Sequence, residues 1–278
     1  MILNAKCLIR ACEELGVSYK QLDKFGNFVA VGKKPHYFVN FSTPLNDQGA
    51  VLICRDKGFC HDALKDVVNM PETLQFLDPK VGSEFKQYAV HSSEKEIANE
   101  VLESLDLPVV VKPGRGALSN NVELCRSRRD VIKAFKQIFS RKLPYSYVAL
   151  AQQYIDPEKE YRVITAGGKV KIVYEKAKTE VAKGNNVMNP RFWEGSKSVD
   201  IDEGEEIFSR LQEFVQPAID QIDLGWGAMD ILLDKKGELW FLEINDSPKF
   251  EFYVEHNGED KLVEVYKEAV QSLTLLDS

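Results

Sequence analysis

The chain has 278 residues, 44% of them hydrophobic and 28% charged, and a formal net charge of −7. Such a composition belongs to an ordinary globular protein with one large core or two modest lobes, and its negative balance offers no overall footprint for nucleic acid or an acidic membrane. The opening MILNAKCLIRACEELG interrupts its apolar residues with charges, unlike a secretory signal, and no apolar stretch is long enough for a bilayer, so a cytoplasmic protein is expected.

Residues 4–15 carry Leu8, Ala11, Cys12 and Leu15 at helical spacing, and Gly16 supplies the stop. Short strands are predicted over 17–22, 28–31 and 37–41, punctuated by Gly26-Asn27 and Gly32. Loop residues over 43–49 set a boundary, leaving residues 1–50 as a small α/β unit that serves packing or substrate and is too small to stand alone comfortably. A helical pattern over 57–68 runs up to Met70-Pro71, and Ser93-x-x-Glu96 is a capping box ahead of a helix to about Leu105. A buried strand at 107–113 ends in a Gly-containing loop, followed by a strand at 122–125 and a helix over 128–139. The second half reads as strands at 147–154, 161–165 and 170–175, with Gly167-Gly168 as a turn and a polar stretch of little periodicity over 177–199. A helix over 205–222, a hairpin of 226–234 with 238–245, and a helix over 259–273 complete the chain. The expected class is α+β on antiparallel sheets, with one domain over 51–278 divided at residue 150. The five cysteines, Cys7, Cys12, Cys54, Cys60 and Cys125, form no CxxC pair and read as small buried hydrophobes.

The hairpin carries the chemistry. Magnesium takes hard oxygen ligands, commonly one or two carboxylates together with substrate phosphates. Residues two apart on a strand share a face, so Glu243 and Asn245 point the same way, and Trp240, Leu242 and Ile244 are expected in the core. A turn centred on Lys236-Gly237 puts Asp230 directly opposite Glu243, whereas a three-residue turn with Gly237 at a bulge would send it to the other face. Each acid alone is compatible with an ordinary solvated side chain.

The run Gly227-Ala-Met-Asp230-Ile-Leu-Leu … Phe241-Leu-Glu243-Ile-Asn245-Asp-Ser-Pro248 resembles the metal-binding signature of the ATP-grasp superfamily. The resemblance covers residues 50 to 275 and is nearest the carboxylate–amine ligase branch, with cyanophycin synthetases, ribosomal-protein glutamate ligases and glutathione synthetases. D-alanine–D-alanine ligases look more distant. It implies two α+β subdomains gripping ATP between antiparallel sheets, with Mg²⁺ (two ions, Mn²⁺ as a substitute) on Asp230, Glu243 and Asn245. Lys57, after Asp56, and Lys112, ending Val109-Val-Val-Lys-Pro113, resemble the two lysines that reach the α/β-phosphates. Gln152-Gln153-Tyr154-Ile155 resembles the adenine hinge, where relatives commonly have Glu. In Glu160-Tyr161-Arg162, the acid would meet the ribose hydroxyls and Arg162 the terminal phosphate or acyl phosphate, with Lys176 beside it. In the phosphate loop relatives are richer in glycine; here Arg115, Ser119 and Asn120 would donate alongside backbone amides. Residues 178–199 do not follow an Arg-x-Asn pattern, and Asn186, Asn189 and Arg191 are the candidates there.

The activity that follows from this resemblance is an ADP-forming carbon–nitrogen ligase working through an acyl phosphate on an amino acid or small peptide. An ATP-grasp-like phosphotransferase and a nucleotide-binding protein of weakened catalysis are the alternatives. Relatives are often dimers or tetramers, so a homodimer is the assembly implied, with neither nucleic acid nor membrane as a partner.

Overall fold

The structure, a computed structural model, describes residues 1–116, 121–140, 147–178 and 196–275. Three antiparallel sheets organise it. The first is three-stranded, β1 (Tyr19–Gln21), β2 (Phe28–Val31) and β3 (His36–Val39) in that order, beside helix α1 (Leu3–Leu15). The second is four-stranded, in the order β4 (Thr73–Leu77), β7 (Val148–Gln153), β5 (Val109–Pro113), β6 (Glu123–Cys125). The third is five-stranded, in the order β10 (Ser196–Ile201), β9 (Lys169–Lys178), β8 (Pro157–Ala166), β11 (Trp226–Asp234), β12 (Leu239–Asn245). The α+β class on antiparallel sheets is the observed one.

Three apolar clusters follow from the periodicities. Helices α4 (Glu94–Ser104) and α5 (Arg128–Phe139) bury Ile97, Val101, Val131 and Phe135 against the four-stranded sheet. Helices α3 (Lys57–Leu64) and α6 (Glu206–Ile222) bury Cys60, Leu64, Leu211 and Val215 against one face of the five-stranded sheet. The opposite face receives α1 and α8 (Asp260–Leu275), so Cys7, Leu8 and Cys12 share a core with Trp226, Tyr266 and Val270. All five cysteines are buried and free, as expected. The chain begins α4 with Ser93 accepting from the Glu96 amide, but the Glu96 carboxylate reaches back to Ser92 instead of completing the box on Ser93.

Several elements lie outside the sequence expectation. Helix α2 (Gln48–Arg55), capped by Asp47, begins at the end of the loop expected over 43–49 and fills the stretch 50–55, for which no element was expected. Strands β4 and β10 and the short helix α7 (Glu251–Asn257) were not foreseen.

The hairpin of β11 and β12 differs in a way that matters. Its turn is the three-residue form: the Asp234 amide donates to the Glu238 carbonyl at 3.0 Å, and Gly237 adopts φ +86°, a conformation that favours glycine. Alone, this register would set Leu242 opposite Asp230. A second irregularity between Asp230 and Ile231 absorbs Leu242, so Ile231 pairs with Phe241 and Asp230 with Glu243. The expected pairing is therefore reached through a bulge and not through the expected turn. The expected core face is corrected with it: Leu239, Phe241 and Ile244 enter the core, while Trp240 and Leu242 are only partly buried. The Trp240 indole donates instead to Asp234 at 3.1 Å.

The opening unit is tied to the third sheet at its start. Asn46 clasps the Trp226 backbone with two hydrogen bonds, of 2.7 and 2.9 Å. A Cβ on Gly225 would lie 2.4 Å from the Leu45 carbonyl oxygen, so the close approach needs glycine. Gly225→Ala should therefore cost about 1–3 kcal/mol of unfolding free energy in urea titration, the usual range for overpacking; a variant as stable as wild type would show that this seam can open at no cost.

Candidate active site

The face of the third sheet covered by α1 and α8 runs on beyond them, and its side chains turn from apolar to ionic. On β8 the sequence passes from Ala166 and Ile164 to Arg162 and Glu160; on β9 it passes from Ile172 and Tyr174 to Lys176; on β11 it passes from Trp226 and Ala228 to Asp230. Strand register brings these charges together. Asp230 stands directly across from Arg162 on one side and Glu243 on the other.

Arg162 donates to both Asp230 oxygens, Nε to Oδ1 at 2.8 Å and an Nη to Oδ2 at 2.7 Å. Lys176 Nζ lies 2.7 Å from Asp230 Oδ1 and 2.6 Å from Glu160 Oε1. Burial works against charge on Asp230, but Arg162 and Lys176 overcome it and hold the carboxyl well below the usual carboxylate range. Burial likewise opposes the charge on Arg162 and Lys176, and the Asp230 carboxylate reverses it, leaving both bases above their ordinary values.

A second group of cations, on α3 and on the four-stranded sheet, lies near this cluster. Asp56 caps α3, accepting from the Gly58 and Phe59 amides, and also takes Arg115 Nε at 2.9 Å. That geometry aims Lys57 at the loop after β5 and at strand β12 together: its Nζ donates to the Gly116 carbonyl at 2.9 Å and lies 3.4 Å from Glu243 Oε2. Lys112, on the wholly buried strand β5, donates to Gln152 Oε1 at 2.8 Å, and Gln152 Nε2 donates to Thr73 Oγ1 at 2.8 Å. Burial pushes the Lys112 ammonium down to about 8, with Lys57 adding to the effect and Glu243 opposing it.

The remaining expected residues fall as follows. Gln153, Tyr154 and Ile155 continue from β7; the Gln153 side chain accepts from the Glu72 amide at 3.2 Å, and Ile155 is buried. Ser119 and Asn120 of the phosphate loop, and Asn186, Asn189 and Arg191 of the polar stretch, lie outside the described residues. Sequence reading missed Arg55, which holds Asp246 with Nε and Nη bonds of 2.8–3.1 Å, and Thr73, which anchors Gln152. Asp47, an N-cap signal ahead of α2, could have pointed to Arg55.

The donor set suits a divalent cation. Among the described residues no three His, Cys, Asp or Glu side chains gather to hold a metal alone. Two carboxylates and an amide are nonetheless what a magnesium–nucleotide site needs, because the phosphates complete the shell. A carboxylate offers about four lone-pair positions. Arg162 and Lys176 use three of those on Asp230, and Glu243 is engaged only loosely by Lys57.

An α+β fold on antiparallel sheets, with lysines and Arg162 gathered about the carboxylates of the β11–β12 hairpin, is that of an ATP-grasp protein of the carboxylate–amine ligase branch. Residues 82–254 match the family described as D-ala D-ala ligase C-terminus, and the chain belongs to that family. A D-alanine–D-alanine ligase of Acinetobacter baylyi is 26% identical over 171 residues, 58% of this chain and 51% of that protein. The chain thus spans about half the length of the curated relative it matches. Among solved structures, the D-alanine–D-alanine ligase of Coxiella burnetii superposes with a TM-score of 0.56 at 14% identity, over 85% of this chain and 62% of that one. A bifunctional glutathione synthetase of Pasteurella multocida gives 0.59 at 12% identity, over 96% and 44%. An L-amino acid ligase of Bacillus licheniformis gives 0.53 at 20% identity, over 80% and 49%. At these identities the likeness is one of fold.

Two measurements test the electrostatics. Asp230→Asn leaves buried Arg162 without its carboxylate and Lys176 with Glu160 alone, and should lower unfolding free energy by about 3–5 kcal/mol; a loss near zero would mean the carboxylate does not hold them. Lys112 binds a proton less readily folded than unfolded, so the unfolded chain holds more protons between pH 8 and its ordinary 10.5. Stability of the wild type relative to Lys112→Met should therefore rise with pH across that window. A flat difference in urea titrations at successive pH values would contradict the buried, desolvated ammonium.

Proposed function

We propose that the chain is an ATP- and Mg²⁺-dependent carboxylate–amine ligase that forms a peptide-type bond through an acyl phosphate, acting on an amino acid or small peptide. The observation that carries this reading is the convergence of Arg162, Lys176 and Lys57 on the carboxylates of Asp230 and Glu243, at distances of 2.7–3.4 Å, with Lys112 held by Gln152. Membership of the D-ala D-ala ligase C-terminus family supports it.

The chemistry is set by charge. A substrate carboxylate must approach the γ-phosphate of ATP, anion against anion, and the barrier falls when fixed positive groups are already in place. Lys57 and Lys112 serve the α- and β-phosphates, and Arg115 and Ser119 steady them from the phosphate loop. Gln152, Gln153, Tyr154 and Ile155 receive the adenine, with the Gln152 carbonyl turning from Lys112 to the base amino group. Glu160 meets the ribose, and Arg162 with Lys176 receives the transferred phosphoryl group. Asp230, Glu243 and Asn245 are the residues that would hold Mg²⁺, which when bound offsets phosphate charge. The carboxylate oxygen forms a bond to γ-phosphorus as the bond to the ADP oxygen breaks. The amine then attacks the acyl carbon, phosphate departs with the electron pair, and the nitrogen loses its proton.

Glu243→Gln keeps the shape of the side chain and removes its charge. It should abolish ADP formation in an ADP-release screen over amino acids and short peptides, singly and in pairs, while circular dichroism stays that of wild type. Wild-type turnover in this variant would sink the metal assignment. In the parent chain ADP should appear with free phosphate and an amide; phosphate retained on the acceptor would replace the ligase with a phosphotransferase.

A further inference from the structure

The loop that leaves the metal strand is fixed by groups committed to one another. Arg55 holds Asp246, Ser247 Oγ donates to Asp246 Oδ2 at 2.8 Å, and Ser42 and Ser247 hydroxyls meet at 3.0 Å. Asn4 Nδ2 donates to the Pro248 carbonyl at 3.2 Å. The opening unit therefore grips this loop from two places, α1 and the segment after β3.

Lys249 is the exception. It is exposed, its Nζ lies 5.3 Å from the centroid of the Phe41 ring, and among the described residues no carboxylate pairs with it. The other cations about the cleft are differently placed: Arg55, Lys57, Arg162 and Lys176 each face a carboxylate, and Lys112 an amide oxygen. The aromatic face restrains the Lys249 ammonium without neutralising it. Three residues lie between it and Asn245, so their Cα atoms are at most about 14 Å apart, room for an amino acid or dipeptide between their side chains.

We propose that Lys249 is a specificity-determining residue that receives the free carboxylate of the amine-bearing substrate. The acceptor is then an α-amino acid or a peptide with a free C-terminus, and not a neutral amine. Phe41, from the opening unit, restrains the ammonium, which gives that small unit a part in acceptor choice. This inference rests on the ligase reading above.

The experiment offers the full-length protein MgATP, each proteinogenic amino acid as carboxyl donor, and acceptors in matched pairs. The pairs are glycine with glycinamide, D- and L-alanine with their amides, and alanyl-alanine with its amide. Hydroxylamine in parallel reactions traps an acyl phosphate as hydroxamate, whatever the acceptor site prefers. The free acids should exceed their amides in kcat/KM by roughly ten- to hundredfold, the range of a charged hydrogen bond. Lys249→Met should raise KM for the free acid by a similar factor and bring the acid-to-amide ratio toward one, and Lys249→Arg should restore it. Amides used as well as acids, or a Lys249→Met variant that still discriminates, would overturn the proposal. So would hydroxamate formation with no carboxylate-bearing acceptor used, an outcome that leaves the ligase reading standing. Absence of both ADP and hydroxamate with every donor would overturn the ligase reading and this one with it.

Discussion

The Asp230 carboxylate, buried between Arg162 and Lys176, is the constraint around which the rest of the site is arranged. Two desolvated cations on neighbouring strands would repel each other without it, and the carboxylate would be costly to bury without them. The trio is satisfied only if three strands keep one register. A shift of one residue on β11 would turn Asp230 into the cluster occupied by Met229 and Ile231, where no cation waits. The ionic cluster thus adds specificity to the sheet even where its net contribution to stability is small. It also leaves fixed positive charge facing the cleft.

One sheet face serves two purposes along its length. Near Trp226, Ile164 and Ile172 it is apolar and covered by α1 and α8; within one step along each strand it becomes Asp230, Arg162 and Lys176. The covered half gives those charged side chains a rigid base. Rigidity matters because a group preorganised against developing charge needs no reorganisation during the reaction. The opposite wall is different in kind: Lys112 is held by a chain of neutral hydrogen bonds through Gln152 to Thr73, so its charge is met by dipoles and not by a formal partner.

Much of this was legible in the sequence, and the failures have physical causes. Helices α5 and α6 and strand β11 announce themselves because each buries a long regular stripe, such as Val131, Phe135 and Ile138. Strand β4 is five residues long with one fully buried side chain, too little to set a period. Strand β10 buries Ser196 and Ser198, and Ser198 is satisfied by hydrogen bonds to Phe252 and Asn257, so no apolar signal marks it. The bulge at Leu242 was hidden because Leu239 through Ile244 is apolar at every position but Glu243, and either register looks plausible locally. Candidate site residues could be named from the motif, but not their pairing. That Lys57 reaches Glu243 and Lys176 reaches Glu160 depends on how three strands and one helix meet in space.

The packing of α1 against α8 carries a consequence for how the molecule is made. Cys7, Leu8 and Cys12 find their partners in Leu262, Tyr266 and Ala269, so α1 must wait for the distant α8 before its apolar stripe is covered. Contacts this distant in sequence carry a large loop-closure cost and form late. On the ribosome the four-stranded sheet with α4 and α5 can close on itself before α8 is made, whereas the stripe of α1 stays exposed until α8 has emerged. A chaperone that shields short amphipathic helices, or a slow passage over the codons of α8, would then govern the yield of folded protein more than any feature of the cleft.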